Sequence, residues 1–513
     1  MQAIGSGVAA FRESLFNADP AGARPGAGRA EWDRWEARCL RYELYTALYQ
    51  NNSYAETVHA WARGNKEAYG LYKHTRHLLN PAFRSVEFWA SHLMGGPLAT
   101  ALPIVSENPE ILPSLRRLWR DSNWATGKET WTRGGAMWAD APLKVVEDPI
   151  AGRMRLEPVY PGHLKYCQFD SYHNVKNYII QRWEYDPRVA IPADANPLAD
   201  PRATMKRVLY TERCWRDGQR VTYETLLDGD PYAWNGVDSS WDRPYGFVPL
   251  VVAHHHAIGL DWGMNAFHPG LSRFREVDDL ASGLSDQIRK SIRAPMLLIG
   301  VKEAGGIERG RRTGRPDGAA AGPDQSDREQ LDFLHAGIGG DAKHLTFDLN
   351  IRGVFQYIRE LNADIDKNFP ELLADTGNLA GAVTATAMKM LRQRASAKVR
   401  AVRPGYDAAL ARAHGMALAI GGSLGFPGYD GFDLGSYARG DLDHAIGDRP
   451  VFDVDAKDAI DEDAAFWAAA ESAGKAGFPL ALYLRRNGWS EAEIAEYEAA
   501  KAGATAAHPI SQP

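Results

Sequence analysis

The chain has 513 residues, 45% of them hydrophobic and 24% charged, with a mean hydropathy of -0.39, so it is long enough for about two to four cored domains and is neither disordered nor membrane-like in composition. Lysine plus arginine number 59 against 65 acids, a formal charge of -6, which excludes a uniformly basic nucleic-acid binder. Cys39, Cys167 and Cys214 are too far apart for zinc pairs and odd in number, which favours a reducing compartment.

No run approaches the roughly 18 to 20 apolar residues of a bilayer span, since Phe247 to Leu260 is broken by Pro249 and three histidines. No membrane association is expected. Asp19 to Arg29 is rich in Gly, Ala and Pro, and residues 1–30 read as a flexible arm without the pattern of a signal peptide.

From Glu31 to Gly96 the spacing is helical. Trp32, Trp35, Cys39, Leu40 and Leu44 form one stripe, Tyr42, Tyr45 and Tyr49 a second, and helix-spaced aromatics of this kind belong in a core or interface. A helix is predicted from Pro81 to Met94, capped by Asn80 and stopped by Gly95-Gly96. Another follows Ser114 and leads into Trp131 to Trp138. Short runs of Val, Ile, Tyr and Trp then predict strands at Leu143 to Glu147, Arg153 to Val159, Asn177 to Tyr185, Met205 to Trp215, Gln219 to Leu226 and Phe247 to Ala253. Asp217-Gly218 supplies a hairpin turn between two of them.

Helix returns after Pro269. Leu271, Phe274, Val277, Ala281, Leu284, Ile288 and Ile292 keep one face apolar, with Glu276, Asp278 and Asp279 early and Arg289, Lys290 and Arg293 late, as a helix dipole prefers. Pro295 ends it. A short strand, Met296 to Val301, opens a Gly/Arg/Asp-rich segment. A second amphipathic helix runs through Ile351, Val354, Phe355, Ile358, Leu361, Ile365 and Phe369 to Pro370. Helices of about 35 and 28 Å can pair antiparallel. A glycine-bearing loop, Glu371 to Ala382, is expected to carry no helical ladder. It leads to a third long helix with Thr384 as cap and Pro404-Gly405 as kink or break. Gly421 to Asp455 is rich in Gly and Asp. The chain closes in Ala/Glu-rich helices with a capping box from Ser490 to Glu493.

Chemistry-bearing motifs are sparse. Gly127-Lys128 is followed by Glu129 and lacks the upstream glycine of a P-loop, and no nucleophile elbow, HExxH, dinucleotide fingerprint or CxxC is present. His254-His255-His256 alternate across a strand, so at most two share a face. Asp441, Asp443 and His444, or Asp453, Asp455 and Asp458, could in principle hold a hydrolytic metal but read better as solvated acidic loops. Glu308 to Arg315, with Arg309, Arg311, Arg312 and Arg315, is either an exposed soluble loop or a contact surface for phosphates or an acidic partner.

The order of these elements resembles the bacteriophage portal proteins, ring-shaped connectors through which double-stranded DNA enters and leaves a capsid. Four stretches carry the likeness: Asn80 to Pro97 (NPAFRSVEFWASHLMGGP); Leu118 to Asp148; Phe247 to Ile292, containing HPGLSRFREVDDLASGLSDQIRKSI; and Asn350 to Arg403, with GNLAGAVTATAMKMLRQRASAKVRAVR. The specificity lies in the series.

The resemblance implies an α+β fold with a mixed α/β wing (31–267), an antiparallel two-helix stem (268–294 and 350–370) with an inserted clip (295–349), a tunnel loop (371–383), a long wing/crown helix (384–425) and a helical crown with C-terminal tail (426–513). It implies a non-enzymatic structural subunit at a capsid vertex of the virion, assembled in the host cytoplasm, with no cofactor. Its partners would be about eleven further copies, DNA in the channel, a terminase motor, head-completion or tail adaptors, and major capsid and scaffolding proteins. Thr376, Gly377, Asn378, Leu379 and Gly381 would line the channel, Arg289, Lys290 and Arg293 would be basic stem residues, and the four clip arginines would dock the motor. A ring multiplies every cation facing phosphate, so a near-neutral chain with a Gly/Asn/Thr loop suits a lining that lets DNA slide. The alternatives are a metal-dependent nuclease or hydrolase and another head-completion or adaptor protein. Length and the paired mid-chain helices disfavour the latter.

Overall fold

The computed structural model describes residues 32–51, 80–95, 103–188, 206–233, 238–292, 296–299, 333–336, 341–344, 351–374, 385–452, 456–487 and parts of 489–499. It is α+β, 51% helical and 22% strand, and the chain divides into two compact units, Met1–Arg449 and Pro450–Pro513.

In the first unit, helix α1 (Trp35–Tyr49) buries Ala37, Arg38, Arg41, Tyr42, Leu44 and Tyr45. Tyr42 and Tyr45 of the tyrosine stripe therefore face the core, while Tyr49, Trp32, Trp35, Cys39 and Leu40 stay half-buried. Two arginines shift the face. Arg38 donates to the Leu164 carbonyl at 2.7 Å and lies 3.5 Å over Trp262, so a charged side chain fills a core position by hydrogen bonding and stacking.

Helix α2 (Pro81–His92) begins as expected: the Asn80 side chain accepts from the Phe83 N–H at 3.0 Å and Pro81 occupies the first turn. After strand β1 (Ile104–Val105), α3 (Ile111–Asp121) starts three residues before Ser114, with Pro113 in the first turn where its missing N–H costs nothing. Helix α4 (Trp124–Trp138) then feeds β2 (Asp140–Asp148).

Strands β2, β3 (Arg153–Pro158) and, much later in the chain, Leu250–His254 make an antiparallel sheet in which β2 is central, with Leu143 opposite both Pro158 and Val251. A second sheet carries β4 (Leu164–Phe169), β5 (Val175–Tyr185), β6 (Arg207–Asp217), β7 (Arg220–Leu227) and β8 (Asp230–Pro231) in that order, and β9 (Ser240–Arg243) also pairs with β7. The Leu250–His254 strand is β10. The β6–β7 turn is Gly218-Gln219 rather than Asp217-Gly218: Asp217 pairs with Arg220, and Gly218, at φ 58°, is the residue that needs positive φ. Strands β4 and β9 went unpredicted because LKYCQF and SWDR mix polar and apolar residues without a clean alternation.

The chain continues through α5 (Leu271–Ile292), strands β11 (Met296–Ile299), β12 (Phe333–Ala336) and β13 (Asp341–His344), α6 (Ile351–Asn368) and the single turn α7 (Pro370–Ala374). Helix α8 (Ala385–Ser423) is 39 residues long and packs on β2 and β10. Pro404 does not break it. Val399 and Tyr406 are fully buried on either side, and Arg403 donates to the carbonyls of His92 (3.0 Å), Leu93 (3.0 Å) and Arg449 (2.6 Å). Arg403 thus caps the C-terminus of α2, where the helix dipole favours a cation, and packing outweighs the lost backbone bond. The expected cap Thr384 lies outside the described residues.

Helix α9 (Leu434–Arg439), capped by the Asp433 side chain on Ser436, and β14 (Ala445–Ile446), paired with β1, close this unit. Gly422 lies so close to the chain that an added Cβ would sit 2.0 Å from the Phe432 carbonyl oxygen. Because backbone blocks it, Gly422→Ala is expected to destabilise the full chain by about 1–3 kcal/mol or more, read as a lowered urea midpoint. An unchanged midpoint would contradict this packing.

In the second unit, α10 (Ala456–Lys475) and α11 (Leu480–Arg486) enclose an aromatic cluster of Phe466, Trp467, Tyr483 and Trp489. The capping box from Ser490 to Glu493 lies outside the described residues.

Candidate functional site

The site is the α5–α6 hairpin and the turn that roots it. Apolar residues at three-to-four spacing bury Leu271, Phe274, Val277 and Leu284 on α5; on the α6 side Ile365 and, just past its end, Phe369 are buried while Val354, Ile358 and Leu361 are half-buried. The helices, about 33 and 27 Å long, run antiparallel, because the start of α5 meets the end of α6. Arg273 Nε lies 2.7 Å from Asp364 Oδ2, and the rings of Phe274 and Phe369 are 5.5 Å apart.

Between the helices, β11 pairs parallel with β12 and antiparallel with β13, so a small sheet is inserted between them in the chain. Only β11 was legible in the sequence. All three strands are four residues long, but β11 (MLLI) is an unbroken apolar run, whereas β12 (FLHA) and β13 (DAKH) include His, Asp and Lys and show no such signal.

At the other end the hairpin is tied to the body. Tyr45 Oη and His268 Nδ1 are 2.7 Å apart. Burial, with the nearby Arg41 cation, pushes the His268 imidazole down to about 4.

Turn α7 corrects the sequence expectation that Glu371 onward carries no helical structure. Pro370 stops α6 but is well placed to start another turn, and Glu371, 1% exposed, holds it in place. Its carboxylate accepts from Lys398 Nζ at 2.9 and 3.0 Å and from Ser85 Oγ at 3.1 Å, and Arg84 donates to the Leu372 carbonyl at 2.5 Å. Lys398 also donates to the Asn368 carbonyl at 3.3 Å and lies 4.9 Å from the Phe369 ring centroid. One buried ion pair therefore joins α7 to α8 beside α2. The sequence held a weak signal for it, an acid directly after a helix-ending proline.

The sequence-predicted channel residues Thr376, Gly377, Asn378, Leu379 and Gly381 lie outside the described residues. So do Arg293 and the clip residues Arg309, Arg311, Arg312 and Arg315. Arg289 and Lys290 fall on the last turn of α5, and their side chains lie outside the described residues.

Several of the candidate metal ligands have other partners. His254 Nδ1 is 2.7 Å from Asp140 Oδ1, and Asp140, 1% exposed, also accepts from Tyr42 Oη at 2.9 Å and the Gly263 N–H at 2.8 Å. His255 Nδ1 faces Tyr406 Oη at 3.3 Å. Asp441 pairs with Arg439 at 2.7 Å, while His444 Nε2 is 3.2 Å from His414 Nδ1. Among the described residues no three His, Cys, Asp or Glu side chains converge on one point. Asp453 and Asp455 lie outside the described residues, and Asp458 is on α10.

A cleft of about 380 Å³ opens beside β2 and the second sheet, lined by Lys144, Glu147, Glu212, Trp241 and Arg243. Of these, Lys144 pairs with Glu212, and Arg243 with Glu147 at 2.7 Å. Among the described residues no helix is long and apolar enough to cross a membrane. No protein-family model and no curated protein matches this chain.

Proposed function

We propose that the chain is the subunit of a bacteriophage portal, a ring of about twelve copies at a capsid vertex of the virion. Double-stranded DNA passes through the ring, and the packaging motor and tail adaptors dock on it. The observation that carries this reading is the α5–α6 hairpin: two long antiparallel helices with a small sheet inserted between them in the chain, rooted in an α/β body and followed, after the anchored turn α7 and residues 375–384, by a 39-residue helix. That is the order of stem, clip, tunnel loop and long helix in the family that the sequence resembles. The hairpin also leaves Phe355 and Tyr357 each 47% exposed, apolar surface that one subunit does not cover for itself. The role is structural rather than enzymatic, and the reading places residues 375–383 in the channel.

Replacing Gly377 and Gly381 together by Pro tests the channel assignment. Pro fixes φ near -65° and removes the freedom of that crossing, while α7 and its ion pair stay intact. The expected result is particles with normal portal incorporation and impaired DNA packaging or retention. Packaging at the unmodified rate would remove these residues from the channel.

A further inference from the structure

Over residues 352–364 helix α6 carries two flanks of opposite charge, before Asp366 and Lys367 reverse the sign of each. Arg352, Phe355 and Arg359 recur at spacings of three and four, and so do Tyr357, Glu360 and Asp364. At 100° per residue, each stripe lies about 110° from the inward line through half-buried Val354, Ile358 and Leu361 and buried Ile365, one on either flank of the hairpin. Phe355, Tyr357, Arg359 and Glu360 are all exposed. The stripes sit at matching heights: Phe355 and Tyr357 differ by about 3 Å along the helix, Arg359 and Glu360 by about 1.5 Å. Arg359 has no ion pair among the described residues. Glu360 accepts from Gln356 Nε2 at 3.1 Å through one carboxylate oxygen, and Asp364 is held by Arg273.

A twofold dimer would set each stripe against its own copy, basic on basic. A rotation about an axis running along the hairpin preserves height and sets one flank against the other, basic on acidic and aromatic beside aromatic. Resting on the portal reading above, we propose that neighbouring subunits meet through these flanks of α6, with Phe355 and Arg359 of one subunit against Tyr357 and Glu360 of the next. The partner is thus a second copy of this chain, in head-to-tail order. The charge pairing sets the rotational sense of the ring and the aromatic pair supplies apolar burial.

The test is charge reversal with rescue on the full chain, read by native mass and analytical ultracentrifugation. R359E and E360R each place like charges across every interface and should raise the concentration at which half the chains are assembled about tenfold at low salt, where exposed pairs are least screened. The double variant R359E/E360R restores opposite charges across each interface and should assemble as the unmodified chain does. Residues at i and i+1 do not face each other on one helix, so this rescue cannot arise within a chain. Circular dichroism checks that each variant is folded. If the unmodified chain assembles and the single variants assemble equally well, or the double variant is no better than the single ones, this interface is overturned while the ring stands. If the unmodified chain is itself a monomer at micromolar concentration, the portal reading falls first.

Discussion

Lys398→Met is expected to lower the stability of the first unit by about 3–5 kcal/mol. The Glu371 side chain is fully buried and Lys398 is one-quarter exposed, with Nζ bonded to both carboxylate oxygens. Removing the cation leaves a carboxylate closed off from bulk solvent with one remaining side-chain donor, Ser85. Removing both charges together, in Lys398→Met/Glu371→Gln, should recover most of the loss, because the cost comes from the unpaired charge more than from the missing attraction. Urea unfolding of the full chain reads the loss. Hydrogen exchange should localise the earliest opening at residues 370–374, since α7 is held chiefly through Glu371. A single variant with the unmodified midpoint would mean that the pair contributes nothing net.

Acidification from pH 7 to 5 is expected to cost the fold several kcal/mol. His256 and His268 are both pushed down to about 4, chiefly by burial, with Lys398 adding to the effect at His256 and Arg41 at His268. His255 and His414 are depressed further, again by burial first and then by neighbouring imidazoles. The unfolded chain takes up these protons from about pH 6.5 downward, whereas the folded chain resists them. Stability is therefore full above that pH and falls by about 1.4 kcal/mol per unit per group as pH drops toward the folded value. At pH 5 the two groups near 4 together account for a loss of about 4 kcal/mol. His414 has the further constraint that Nε2 accepts from Trp119 Nε1 at 2.9 Å while Nδ1 faces His444, so a proton on Nε2 would oppose an N–H. The measurement is the urea midpoint of the full chain from pH 7.5 to 5. Replacing His256 and His268 by Gln should flatten the slope, and an unmodified slope in that variant would assign the acid loss to other groups.

The hairpin was legible in the sequence because its determinants are local. Leu271, Phe274, Val277 and Leu284 repeat at helical spacing, and burial follows that repeat. The start of α2 was legible for the same reason, since Asn80 and Pro81 act within one turn. What escaped depends on residues distant in sequence. Helix α8 runs through Pro404 because Arg403 is bonded to carbonyls more than 300 positions earlier. The buried face of α1 includes Arg38 because the Leu164 carbonyl and Trp262 receive it. Turn α7 is held because Lys398 neutralises Glu371 and Ser85 donates to it, which a loop reading of a Pro-ended helix does not foresee. Periodicity likewise gave α6 one apolar face, and the two charged flanks beside it became apparent only once α5 had fixed which side is inward.

The most direct test of the portal reading is the mass of the assembled species. Native mass spectrometry of the purified full chain at micromolar concentration should find a closed ring of about twelve subunits, several hundred kilodaltons in mass, with no ladder of open intermediates at equilibrium. A stable 56.6 kDa monomer under the same conditions would contradict it.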